Sequence, residues 1–416
     1  MNPFEEKAVS IESAFKNWSE INRKPYNKNE VDPYTKTRII LMNGTEYEAV
    51  WFGHQFSRNC PDNDLRRDLA LVRRVEQQQQ KEIASLKPLD ESMLEHTISY
   101  EQLAVDLTAE LAKREPDQKV KDALDFALLE DFDHLYRYAD LLEMEQGIRA
   151  EQLVGHYTEI MPGRPTISEH RYPYDNIKNF IDKKEAAPIT KLDVSIITAA
   201  EQQTMNYYMN TSALYGTDKG RQLYQEIGLI EEQHVSQYGS LINTQMTFLE
   251  NLLMHEYTEC YLYYSCYEDE TDPVVRQLWE EHFDQEISHL HKAAELLYKY
   301  EKKEWQQCIP DGNFPVLLKL HENKKYVRDI LNNTVQNTSK QEHYVNVSEL
   351  GKDDVFYQFQ NKLNEPVDGV PTHKVIKDYI HERGEDYRYQ DEEHPIEELR
   401  SRTVDNTTVG RYTENK

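Results

Sequence analysis

The chain has 416 residues, 38% of them hydrophobic and 30% charged, with a formal net charge of −27. That composition can bury one large core or two moderate ones and is not that of a disordered chain. The negative charge repels phosphate backbones and anionic lipid, so it argues against nucleic-acid and membrane partners, and it favours cations.

No apolar run approaches the roughly 18 residues of a membrane span. The amino end "MNPFEEKAVSIESAF" has neither the basic start nor the apolar stretch of a secretory signal. A soluble, cytoplasmic protein is expected. Cys60, Cys260, Cys266 and Cys308 are scattered with no CxxC, which sets aside a rubredoxin-like iron site, a zinc ribbon and a disulfide framework. They are expected to be reduced and structural.

Residues 1–90 read as an N-terminal appendage. In "TRIILMNGTEYEAVWF", Asn43-Gly44 stands between two strand-like runs and predicts a small β-hairpin. "DLRRDLALVRRVEQQQQKEIASL" predicts a charged helix whose glutamine run is a solvated face. Neither stretch is expected to carry chemistry.

Residues 91–302 are helical. Apolar stripes at helical spacing run through "SMLEHTISYEQLAVDLTAELAK", "VKDALDFALLEDFDHLYRYADLLEM", "KLDVSIITAAEQQTMNYYMNTSAL", "RQLYQEIGLIEEQHVSQYGSLI", "TFLENLLMHEYTECYLYYSC" and "PVVRQLWEEHFDQEISHLHKAAELLYKY". Turn signals at Pro116, at Gly216 and Gly220, and at Asp272-Pro273 fold them into antiparallel pairs. A proline-rich stretch from 151 to 190, holding Pro162, Pro165, Pro173 and Pro188, separates the first pair from the second as a long crossover. From 303 to 416 the chain is polar and reads as an extended C-terminal tail able to wrap the body or a neighbouring subunit.

Inside the stripes a polar pattern recurs. Glu101 is followed 30 residues later by Asp131, with His134 three beyond; Glu201 by Glu231 and His234; Glu256 by Glu286 and His289. An acid three residues before a histidine is weak evidence alone. With 15 histidines and 75 acids in 416 residues, about three such pairs arise by chance, and the chain has five. The other two, Asp378 with His381 and Asp391 with His394, lie in the polar tail and have Ser348 and Asn361 where the upstream acid would be. Only the three on helical stripes carry the matching carboxylate. Arms of equal length then bring the acids level across each hairpin.

Carboxylates facing a helical core cost several kcal/mol each unless paired or metal-bound, and four close together repel or take up protons. Divalent cations remove that cost. Three Glu, one Asp and two neutral His give four negative charges against two M²⁺ ions. Mixed oxygen and imidazole donors suit iron or manganese better than calcium, and zinc also fits.

With those residues in view, the middle of the chain resembles the ferritin-like di-iron and di-manganese carboxylate superfamily, in a rubrerythrin-like style. The resemblance runs over residues 91–245, with a further helix pair over 246–302. It implies a mainly α fold: a four-helix bundle with one long crossover plus the additional pair. Residue by residue, it makes Glu101 and Glu201 the lone carboxylates, and Asp131 with His134 and Glu231 with His234 the two-residue motifs. Asp131 departs from the usual Glu, which leaves Glu130 as an alternative ligand. Glu256, Glu286 and His289, with Glu259 and His282 on the same stripes, form an alternative half-site. They can complete a site with the second pair, form one across a subunit interface, or be hydrogen-bonded core polars.

Other residues read more plainly. Tyr100, Tyr138, Tyr224 and Tyr238 are expected as packed aromatics with bonded hydroxyls rather than redox relays. His170 in "SEHRYPYD" can cap the site or bind nothing, and His96 faces away from Glu101. The resemblance implies two iron or manganese ions reacting with dioxygen or peroxide. Catalytic residues beyond the ligands are not assigned. An external electron donor is needed, since no CxxC supplies one, and association into a homo-oligomer is expected. The competing expectations are a non-catalytic, iron-sequestering protein and a metal-stiffened scaffold.

Overall fold

In the computed structural model, which describes residues 1–162, 167 and 169–384, the chain is mainly helical with one small two-stranded sheet. The long helices fall where the apolar stripes predict them: α4 (Met93–Arg114), α5 (Gln118–Gln146), α7 (Pro188–Leu214), α8 (Asp218–Leu241), α9 (Phe248–Asp269) and α10 (Pro273–Glu301). Local chemistry sets the ends. Ser92 and Glu95 form a capping box on α4, as Thr247 and Glu250 do on α9; Asp117 caps α5, and Asp272 caps α10 ahead of Pro273. Between α5 and α7 the described residues hold only the one-turn α6 (Ala150–Leu153) and a 3-10 turn at Pro173–Asn176.

The described chain divides into two compact units. Unit 1 comprises Met1–Glu91, Phe180–Gln203 and Ile242–Leu320; unit 2 comprises Ser92–Asn179, Thr204–Leu241 and the chain from His321. These boundaries differ from the expected succession of 1–90, 91–302 and 303–416. The first 91 residues and the α9–α10 pair are parts of the same unit. The boundary between units falls within α7, after Gln203.

Unit 1 begins with the one-turn α1 (Trp18–Ile21), then α2 (Pro33–Asn59) and α3 (Asn63–Ala84), which pack on each other, and α2 also packs along α9. The expected N-terminal hairpin is not there: Asn43-Gly44 lies in the middle of α2. Asp32 caps this helix with Pro33 in its first turn, and Ile39, Ile40, Leu41 and Met42 are all buried. An apolar run buried on all sides has no strand or helix period to read, so the Asn-Gly dipeptide decided the prediction wrongly. Gly44 is small for another reason: a Cβ there would stand 2.7 Å from the Gln203 Cβ. The glutamine run of α3 is also not wholly solvated, since Gln79 is buried with Glu76.

In unit 2, α4 packs along α5, α5 meets α8, and α13 (Pro371–Arg383) packs on α5 and α8. The expected extended tail is corrected over 324–383. That stretch folds as α11 (Lys324–Thr334), the antiparallel strands β1 (Asn337–Lys340) and β2 (His343–Asn346) with Asn337 opposite Asn346, α12 (Val355–Leu363) and α13. A few apolar anchors in a polar sequence, among them Val327, Leu331, Val375, Ile376 and Tyr379, bury these short elements. Asp378 and His381 lie on α13, where His381 is exposed and Asp378 pairs with Lys219 at 2.9 Å. Asp391, His394, Pro165 and the end of the tail lie outside the described residues.

Among the described residues, no helix is long and apolar enough to cross a membrane. All four cysteines are free thiols, Cys260 and Cys266 buried.

Candidate metal centre

Within unit 2, Glu101 of α4, Asp131 and His134 of α5, and Glu231 and His234 of α8 are all fully buried. Equal helical arms on either side of a three-residue turn bring Glu101 level with Asp131 and His134, as the 30-residue spacing requires. Two donor groups result. Glu101, His134 and Glu231 each offer a ligand atom within 4.8 Å of the others, and so do Asp131, Glu231 and His234.

Glu231 belongs to both groups. One of its oxygens lies 3.0 Å from His134 Nδ1 and the other 3.2 Å from His234 Nδ1. Asp131 Oδ1 also lies 3.2 Å from His234 Nδ1, and neither Asp131 oxygen has a hydrogen-bond partner. Glu101 accepts a 2.6 Å hydrogen bond from the Tyr208 hydroxyl and leaves its other oxygen unpartnered. Glu201 is also buried, on the stretch of α7 that belongs to unit 1. It shares a face of that helix with Tyr208, two turns on.

Each imidazole faces a second acid with an arginine beside it, but only His234 and its acid are within hydrogen-bond distance. His234 Nε2 lies 2.7 Å from Glu130, which pairs with Arg171. His134 Nε2 lies 3.7 Å from Glu169, which stands 3.6 Å from Arg137. Carboxylates in this position orient a ligating histidine and raise its basicity. Glu130 thus faces away from the donor groups, toward Arg171, while Asp131 faces into them. The Gln233 side chain anchors the crossover by donating to the Glu169 carbonyl at 3.1 Å and accepting from the Arg171 backbone N–H at 2.6 Å.

His170, singled out in the sequence, stands apart from the imidazoles, whereas its neighbours Glu169 and Arg171 lie behind them. Glu169 and Arg171 point toward the imidazoles, whereas His170 Nε2 lies 3.5 Å from Glu226 and its carbonyl accepts from Gln360. No sequence signal singled out Glu169 and Arg171, since residue 169 lies in a turn and the crossover has no regular period.

The aromatics cluster beside Glu101. Tyr224 shares a 2.6 Å hydrogen bond with Thr97, whereas the buried Tyr138 hydroxyl has no hydrogen-bond partner, contrary to expectation. Tyr100 stacks on Tyr207 at 4.4 Å, His96 meets Tyr100 edge-on, and Tyr238 stands 6.4 Å from the His234 ring.

Burial drives the electrostatics. It pushes the Glu101 and Asp131 carboxyls up, against the pull of His134 and His234 respectively. Burial disfavours the charged form of His134, but the facing Glu169 carboxylate and the hydrogen bond to Glu231 outweigh it and hold its pKa well above the usual range. Burial raises Glu231, but His134 and His234 outweigh it and pull its carboxyl well down. Glu169 is pushed up to about 8 by burial, although Arg137 opposes the shift. His134 and Glu169 therefore hold protons in the metal-free chain, and a divalent cation among the donors would displace that of His134. Oxygen and imidazole donors of this kind fit iron, manganese or zinc.

In unit 1, Glu256, Glu286 and His289 also come together. Their partners are acids of α2 and α3, a fourth hairpin that the sequence reading treated as an appendage.

Comparison of the chain with protein-family models, with curated proteins and with solved structures found no match to any of them.

Proposed function

We propose that this protein is a dinuclear iron or manganese carboxylate protein whose centre in unit 2 reacts with dioxygen or peroxide, and that it is related to the ferritin-like superfamily. One observation carries the reading: Glu231 presents its two oxygens to different imidazoles, His134 at 3.0 Å and His234 at 3.2 Å, so that one carboxylate serves both donor groups. Redox-active ions, when bound there, would supply the electrons for reduction of dioxygen or peroxide.

The chain's own residues perform the rest. Glu101 and Asp131 provide terminal carboxylates, and Tyr208 fixes the orientation of Glu101. Glu130 occupies the outer nitrogen of His234 at 2.7 Å and Glu169 stands 3.7 Å behind His134, so that the inner nitrogens face the donor groups. Full burial keeps bulk water from the centre. Electrons come from a carrier outside the chain.

The test is metal per chain by elemental mass spectrometry, for the wild type and for Glu231→Ala with His234→Ala, followed by dioxygen and peroxide consumption with a chemical reductant. The expected result is iron or manganese in the wild type, its loss from unit 2 in the variant, and consumption that outlasts one turnover. Iron uptake with a single round of oxygen consumption points instead to iron sequestration. A folded wild type that takes up no iron or manganese on reconstitution overturns the reading.

A further inference from the structure

Unit 1 repeats the pattern of unit 2. Glu46 is followed 30 residues later by Glu76, with Gln79 three beyond. Adding 55 to each number gives Glu101, Asp131 and His134. The same step takes Glu201, Tyr208, Glu231 and His234 to Glu256, Tyr263, Glu286 and His289. The α2–α3 hairpin therefore corresponds to α4–α5, and α9–α10 to α7–α8.

The contacts repeat as well. The Tyr263 hydroxyl donates to Glu46 as that of Tyr208 does to Glu101. Gln79 Nε2 donates to Glu286 Oε1 at 2.6 Å, where His134 meets Glu231. His289 Nδ1 lies 3.1 Å from Glu286 Oε2, and His234 Nδ1 lies 3.2 Å from Glu231 Oε2. Two donor groups again arise, Glu76 with Glu256 and His289, and Glu256 with Glu259 and Glu286.

We propose that Glu46, Glu76, Glu256, Glu259, Glu286 and His289 form a second divalent-cation centre wholly within unit 1, oxygen-rich and better suited to manganese than to zinc. All six are at least 97% buried, yet one Glu46 oxygen, one Glu256 oxygen, both Glu259 oxygens and His289 Nε2 have no hydrogen-bond partner. Buried carboxylates left in that state cost several kcal/mol each, and a cation among them removes the cost. Burial, followed by mutual repulsion, pushes Glu46, Glu256 and Glu259 well up.

The two centres differ in donor type. Gln79 stands where unit 2 has His134, and Glu259 adds a carboxylate where the repeat has Thr204. Loss of one imidazole and gain of one acid favours harder, oxygen-preferring cations. A narrow cleft lined by Phe52, Leu252 and Leu296 includes Glu76, Glu256 and His289 in its wall.

The test uses the full chain with the unit 2 donors disabled by Glu231→Gln and His234→Gln, titrated with manganese and read by electron paramagnetic resonance. Manganese binding should persist in this background and fall at least about tenfold when Glu256→Gln and Glu286→Gln are added. Gln79→His in the same background should tighten zinc at least about tenfold, since it restores the missing imidazole. A folded background that binds no manganese, or unchanged binding after the Glu256 and Glu286 substitutions, overturns the proposal. If these variants do not fold, a manganese-soaked wild-type crystal decides it: an anomalous peak beside His289 and Glu286 is expected, and its absence overturns the proposal. Failure of the unit 2 reading looks different, because the background then binds manganese as the wild type does.

Discussion

Unit 2 and unit 1 set comparable groups of buried acids on helical hairpins but neutralise them differently. In unit 2 the inner donors include two imidazoles, each with an acid and an arginine behind it. In unit 1 one imidazole is replaced by Gln79, and a further carboxylate, Glu259, is left with both oxygens unpartnered. An imidazole can carry a proton and become a counter-charge, whereas an amide cannot. The metal-free form of unit 2 can thus balance its charge internally, and unit 1 depends more on bound protons or a cation.

The largest effect should come from breaking that internal balance. His134→Ala leaves Glu231 and Glu169 buried without their imidazole, and the metal-free protein should lose about 3–5 kcal/mol. The matching Gln79→Ala removes one hydrogen bond to Glu286 and should cost about 1–3 kcal/mol. Denaturant titration of both variants in chelator measures the pair; equal losses would undo the contrast.

A smaller effect should follow from the outer acids. Glu169→Gln weakens the support of His134, and metal affinity in unit 2 should fall about 10–100-fold while binding in unit 1 stays unchanged. Isothermal titration with manganese reads both.

The smallest effect is a pH slope. Folding raises Glu76 to about 7 and Glu169 to about 8, from the ordinary 4.5. In each case burial is the main cause. Between about pH 4.5 and 8 the folded metal-free chain therefore holds protons that the unfolded chain has lost, so these groups make stability fall as pH rises. Glu82 works the other way. It is held at about 2, because burial is outweighed by the nearby His282 imidazole and the ion pair with Lys16, and its contribution is present above 4.5 and lost as pH falls toward 2. Thermal midpoints at pH 5.5 and 8 should differ in chelator and converge with manganese; a higher midpoint at pH 8 in chelator would contradict the assignment.

Much of the architecture was legible in the sequence, because helical stripes and caps are local. Ser92 with Glu95, Asp117, and Asp272 with Pro273 mark helix starts that the structure keeps. The spacing of 30 fixed which acids share a hairpin. The α2 helix escaped because its apolar run is buried on all sides and Asn43-Gly44 mimics a turn. Glu46 and Glu76 were missed with it, although the offset of 55 that relates them to Glu101 and Asp131 was there to be read. Gln79 hid the repeat from a search anchored on histidine.

By itself the sequence determined the helical hairpins and the acid–imidazole pattern along them, since both depend on residues within a few turns of each other. Only the tertiary structure decided which hairpins share a unit, that α9–α10 belongs with the first 91 residues, and that Glu169 and Arg171 of the crossover stand behind the histidines. Those pairings are set by long-range packing and by single anchors such as the Gln233 amide, to which no local periodicity points.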